Sequence, residues 1–165
     1  MPILNELSTL VKRRRAEMGL TQERLAELAG LSRLTVNQLE TGKLANLSLT
    51  NAEQLANVLG LGLGVTGAQR LRDGTSDALE TAARTASVSY GEPIPAQTLR
   101  AAFLKGIVPP DYIAQLRTLL DEAPVGVLSA VATQLEREDG VRARATWQRM
   151  RQLASVLGCT RPIWS

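Results

Sequence analysis

The sequence predicts an all-α protein built from two helical units, and three observations lead there. Aromatic residues make up 3% of the chain against 44% apolar residues, a balance that favours helix packed on helix over sheets of aromatic and β-branched residues. Apolar positions recur three and four apart, the spacing of one helix face. Glycine closes most of these runs, as it does where helices end in the left-handed conformation. At 165 residues the chain can be one domain or two small ones, and it is long enough to bury a real core.

The elements follow in order. In 3–18, Ile3, Leu7, Leu10, Val11 and Met18 keep close to helical spacing, and Gly19 closes the run. Thr21 caps a second helix over 22–29, with Leu25, Leu28 and Ala29 inward, and Gly30 ends it after about two turns. Ser32 caps a third that runs to about Thr41, with Val36 and Leu39 inward and Gly42 as its stop. A fourth spans about 49–59, capped by Ser48 or Thr50, with Thr50 and Glu53 spaced as a capping box. A fifth short element is expected around 61–66. Residues 64–77, rich in Gly, Thr, Ser and Asp, predict a connection. The expected division is therefore a domain at 1–66, a linker at 67–76 and a helical domain at 77–165. Helices are expected in the last of these at 77–89, 95–105, 110–121, 125–138 and 141–157, with Pro95 and Pro110 as first-turn prolines and Gly106, Gly140 and Gly158 at ends.

Composition removes several functions. The chain has no histidine and one cysteine, so zinc sites of the usual kind are excluded and the commonest general base is missing. No catalytic residue, metal site or cofactor is expected. Gly62, Gly64 and Gly67 match a dinucleotide-binding pattern letter for letter, but they follow a helix and run into a polar loop, whereas the pattern works only between a strand and a helix. No stretch approaches the roughly 20 apolar residues of a membrane span, and KRRR at 12–15 interrupts any secretory signal, so a cytoplasmic protein is expected. Net charge is +3 and evenly spread, seven basic and six acidic residues over 1–62 against twelve and ten over 63–165. Local clusters must carry any electrostatic argument.

Such a cluster lies on the third helix, GLSRLTVNQLETGK (30–43), which presents Ser32, Arg33, Asn37 and Gln38 with a single acid, Glu40, near its end. Two short helices joined by a glycine turn, the second offering donors, describe a helix-turn-helix, in which the second helix enters the major groove. Here the run LTQERLAELAGLSRLTVNQLETGK (20–43), continued by Leu55-Ala56 and Leu59-Gly60, resembles the Cro and phage-repressor (XRE) type of regulator over residues 4–62. The resemblance implies a five-helix, lambda-repressor-like domain that binds double-stranded DNA. It places Arg33, Leu34 and Gln38 at base edges, with Ser32 and Asn37 at the margin of that footprint. Gln22 would hydrogen-bond a phosphate at a helix N-terminus, and Thr41 and Lys43 would hold the backbone on the far side. Arg15 would pair internally with Glu40. Of Lys12, Arg13 and Arg14, a run whose charges mostly face water, Arg14 is the candidate phosphate contact. Leu34 replaces a polar residue and can meet only a thymine methyl, whereas Arg33 can bond guanine in bidentate fashion. One short helix touches too few bases for selectivity, so a homodimeric repressor on an inverted repeat is expected.

The second half lies outside the resemblance. Residues 141–164 hold five arginines and no acid. Ala143, Trp147, Met150, Ala154 and Leu157 form an apolar stripe, with Arg142 and Arg149 along one side and Arg144 and Arg151 along the other. Two readings stand. The stripe faces the core and the arginines snorkel at its rim, or Trp147 is the centre of a partner surface suited to an acidic protein or a second stretch of DNA. Small regulators with a helical extension resemble antitoxins that repress their own operon and bind a toxin. A protein-binding adaptor and a ligand-sensing regulator are the rival functions. Cys159, beside Arg161, is either a reactive thiol or a small packed residue.

Overall fold

The structure, a computed structural model, describes residues 2–64 and 77–164. Apart from 3-10 turns, its regular elements are α-helices, and the chain divides into two compact units, Met1–Arg70 and Leu71–Ser165. The expected linker at 67–76, and Gly67 with it, fall outside the described residues.

The first unit contains α1 (Pro2–Glu17), α2 (Gln22–Ala29), α3 (Arg33–Glu40) and α4 (Leu49–Val58). A fifth element does not form over 61–64. The α3 helix packs on α1 and α2, and α4 on α2. Val11, Leu25, Val36, Leu55 and Leu59 lose all exposure in that centre, each side chain contributing about 1.5–3 kcal/mol of hydrophobic stabilisation. Leu10 departs from the expected apolar face and is 40% exposed. Local chemistry fixes the angle between α2 and α3. Thr21 accepts from the Arg24 N–H at 3.0 Å to open α2. Gly30 closes it at φ 65°, which lets the Leu31 N–H reach the Ala26 carbonyl at 2.8 Å. Ser32, two residues later, accepts from the Thr35 N–H at 3.0 Å and opens α3. Gly42, at φ 69°, ends α3 in the same way, the Lys43 N–H returning to the Gln38 carbonyl at 2.9 Å. For α4 the cap is Ser48, not Thr50: Ser48 is extended and bonds the Asn51 N–H at 3.2 Å, while Thr50 already lies inside the helix.

The second unit contains α5 (Ala78–Ser87), α6 (Ala96–Lys105), α7 (Ile113–Glu122), α8 (Val125–Asp139) and α9 (Ala143–Val156), with 3-10 turns at Pro110–Tyr112 and Pro162–Trp164. The α5 helix packs on α6, α7 and α8, and α9 packs on α6, α7 and α8. Leu79, Leu99, Phe103, Leu116, Leu128 and Met150 are buried between them. Pro95 is the cap residue of α6 and not in its first turn, while Pro110 opens the 3-10 turn ahead of α7. Polar ties close the unit at both ends. Asp77 caps α5 and accepts from the Gln134 side-chain amide of α8 at 3.1 Å, and Gln134 Oε1 accepts from the Leu79 N–H at 3.0 Å. Asp121 accepts from the Thr160 and Arg161 N–H groups at 2.9 and 3.2 Å, which brings Trp164 back to donate to the Leu120 carbonyl at 2.9 Å.

Trp164 meets Trp147 with ring centroids 5.9 Å apart. Trp147 is 2% exposed, so it cannot be the centre of a partner surface, and the core reading of the α9 stripe holds for it. The geometry also decides Cys159. Its half-buried thiol points at the Arg117 carbonyl, and burial, then the charge of Asp121, push its pKa up. It is a packed residue, not an activated thiolate.

Candidate nucleic-acid interface

A four-residue network brings the three N-terminal helices together behind α3. Arg15 of α1 forms a bidentate pair with Glu40 at the end of α3, Nε to Oε1 at 2.6 Å and Nη2 to Oε2 at 2.8 Å, and its remaining Nη1 donates to the Leu20 carbonyl at 2.8 Å. Gln22, the first residue of α2, donates through Nε2 to Glu40 Oε2 at 2.9 Å. Asn37 of α3 donates through Nδ2 to Gln22 Oε1 at 3.2 Å. The pair is well enclosed, with side-chain exposures of 17% for Arg15 and 3% for Glu40. Burial pushes the Glu40 carboxyl up, but hydrogen bonds from Arg15 and Gln22, with the charges of Arg15 and Lys12, together outweigh it and hold the pKa below the ordinary value. The hydrogen bond to Glu40 raises Arg15 against its own desolvation. Gln22 is thus held at both ends of its amide. One Nε2–H and the backbone N–H at the start of α2 remain for an anion, where the helix dipole favours it.

Residues 11–65 match the helix-turn-helix family model. The chain is also similar to an uncharacterized HTH-type transcriptional regulator of Methanothermobacter thermautotrophicus, at 44% identity over 54 residues that cover 33% of this chain and 77% of that protein. The chain belongs to the helix-turn-helix family of Cro and phage-repressor-type regulators. No solved structure matches it.

Within this helix-turn-helix, folding sorts the polar residues into two groups. Arg33, Leu34 and Lys43 are exposed and Gln38 is half-buried, and none of these side chains has a polar partner among the described residues. Leu34 is 64% exposed, so its methyls stand in water at the front of α3. The others have partners within the domain, although Ser32, Asn37 and Thr41 are themselves exposed. Ser32 caps its own helix and shares a hydrogen bond of 2.8 Å with the Thr35 hydroxyl. Thr41 directs its hydroxyl hydrogen to the Asn37 carbonyl at 2.8 Å, so it has no spare donor for a phosphate oxygen. Arg14 pairs with Glu17 at 3.1 Å with only 16% of its side chain exposed, and desolvation lowers its pKa. Asn37 turns toward Gln22. The links from Gln22 to Glu40 and Asn37 have no sequence signal, because they join residues 18 and 15 positions apart across two helices.

The second-half candidates separate. Trp147 is interior, Arg142 and Arg144 are exposed, and Arg149 and Arg151 are half-buried on the rims of α9. No helix among the described residues is long and apolar enough to cross a membrane.

Proposed function

We propose that the chain is a sequence-specific repressor that places α3 in the major groove of DNA as a homodimer on an inverted-repeat operator. The observation that carries this reading is the outward, partnerless face of α3, with Arg33, Leu34 and Gln38 projecting from a helix that the Arg15–Glu40–Gln22–Asn37 network braces from behind. Arg33 and Gln38 read base edges, Leu34 contacts a thymine methyl, and Gln22 and Lys43 grip phosphates. Arg14, Ser32 and Thr41 leave that list for the contacts given above, and Asn37 acts through Gln22. Repression is by occupancy, without catalysis. Operator recognition belongs to residues 1–66, and dimerisation, partner binding or both to the helical half at 77–165. Selection of duplexes from a random pool by the purified protein, at stated salt, should return a two-fold motif. Arg33→Ala should then cost about 1–3 kcal/mol on the selected site and leave other DNA unaffected. A pool that never enriches, or an equal loss on all DNA, refutes the assignment.

A second reading, regulation by a small ligand, is supported by a cleft of about 680 Å³ in the second unit. It is lined by Tyr90, Arg117, Thr118, Asp121 and Glu122 among others, groups that suit a small molecule bearing both charges. Such a molecule should raise the melting temperature of the protein and change operator affinity; failure of a panel of amino acids to do either counts against it. An antitoxin role would use the arginine rim of α9, where Arg142 and Arg144 are exposed, and not Trp147, whose ring is inside the unit.

A further inference from the structure

The α9 helix keeps a face in water that the packing of the second unit does not use. Ala143, Thr146, Trp147, Met150, Leu153 and Ala154 are its buried side. At roughly 3.6 residues per turn, the opposite crest consists of Ala145, Gln148 and Gln152, all exposed. Arg144 and Arg151 run along one flank of that crest, Arg142 and Arg149 along the other. The helix contains no acid. Among the described residues no carboxylate lies within ion-pairing distance of Arg142, Arg144 or Arg149. The same unit neutralises Arg100 with Glu138 and Asp139, and pairs Arg137 with Glu138. Arg149 is held in place by donating to Gln152 Oε1 at 3.1 Å.

This surface has the chemistry of a nucleic-acid contact and not of a protein hot spot. Protein interfaces concentrate their energy in buried aromatic anchors surrounded by a polar rim. With Trp147 turned inward, the exposed side of α9 has no aromatic group at all. What remains is amides on the crest, guanidinium groups on both flanks and, at the C-terminal end, the exposed Val156. A helix with its side chains is about 10–12 Å across, the width of a major groove of about 12 Å. In that groove the flanking arginines face the two phosphate rims, and the crest glutamines, one turn apart, face base edges, where an amide can bond adenine through two hydrogen bonds.

We propose that α9 is a second DNA-contacting helix of this protein, with Arg142 and Arg144 gripping phosphates on opposite sides of the groove. The proposal goes beyond the reading of the first unit, and neither requires the other. The test uses the full chain and a mixed-sequence duplex, with affinity followed by fluorescence anisotropy through a salt series. Arg142→Gln/Arg144→Gln should flatten the dependence of log K on log salt by roughly 1.8, since each neutralised phosphate contributes about 0.9. The melting temperature should not move, because both side chains are exposed and unpaired. Arg84→Gln, exposed on α5, is the control for charge removed elsewhere and should leave the slope unchanged. An unchanged slope in the double variant, or an equal change from Arg84→Gln, overturns the proposal. Binding to poly-L-glutamate that is lost while the DNA slope persists also overturns it, and assigns the face to an acidic protein. The same double substitution in a Gln22→Ala/Arg33→Ala chain separates the two readings. A flattened slope there supports α9 even if no operator preference exists, and an unchanged slope beside a clear operator preference leaves only the first unit as the DNA contact.

Discussion

Removing Arg15 tests whether the network behind α3 is structural. In Arg15→Ala, the Glu40 carboxylate, 3% exposed in the intact pair, loses its bidentate partner and keeps the Gln22 amide at 2.9 Å. Breaking one partner of a buried pair costs about 3–5 kcal/mol, because the charge left behind is uncompensated. The remaining Gln22 bond and the 17% exposure of the Arg15 position, which admits water, put the expected loss near about 3 kcal/mol. For a domain of this size that is a fall of roughly 12–24 °C in melting temperature. Both tryptophans, Trp147 and Trp164, lie in the second unit, so their fluorescence follows that unit while far-UV ellipticity follows both. The loss should appear in the ellipticity transition. It should also depend on pH. In the wild type the lowered Glu40 pKa contributes stability above the unfolded value of about 4.3, lost as pH falls through the folded value. In the variant, burial acts without the arginine and raises the carboxyl, so the gap between the two proteins should narrow below about pH 4. Arg15→Met/Glu40→Met should restore most of the stability, since it leaves no charge behind, yet still weaken DNA binding because Gln22 loses its anchor. A loss under about 1 kcal/mol at neutral pH, the worth of an exposed pair, refutes the reasoning.

Three further outcomes follow from the same geometry. Gln22→Ala and Asn37→Ala should each weaken binding to all duplexes alike and combine non-additively, with a coupling above about 0.5 kcal/mol in a double-mutant cycle; additive losses, or an Asn37 effect confined to one base position, contradict the positioning role. Ser32→Ala should lower the stability of the first unit by about 1 kcal/mol in denaturant titration through loss of the α3 cap, and Ser32→Asn should recover most of it. Hydrogen bonds from Arg100, Arg137 and Gln134 hold the Glu138 carboxyl at about 2, so its contribution to the second unit is present above the unfolded value of about 4.3 and lost as pH falls toward the folded one. Arg100→Gln should therefore move the acid transition of tryptophan fluorescence to higher pH, and an unmoved transition would show that this cluster does not support the unit.

What the sequence discloses here is what short stretches of chain decide for themselves. Thr21, Gly30, Ser32 and Gly42 mark the ends of α2 and α3 because each acts on backbone groups within a few residues, through a hydroxyl that accepts an N–H or a glycine that turns left-handed. Even there a local rule can be ambiguous: Ser48 and Thr50 both suit a cap, and only the extended backbone of Ser48 chooses. Spacing alone is weaker still. It finds the stripe through Trp147 but not what covers it, because Trp164 is delivered by contacts between Asp121 and residues 160–161, about 40 positions away. The recognition surface shows the same division most sharply. Arg33, Gln38, Ser32, Asn37, Thr41 and Arg14 are all competent donors by residue type. The fold uses the Thr41 hydroxyl and one of the two Asn37 amide N–H donors internally, engages Ser32 as a cap and encloses Arg14 against Glu17. Arg33 and Gln38 are left with theirs free, and it is that remainder, set by contacts 15 to 25 residues apart across three helices, that a duplex can meet.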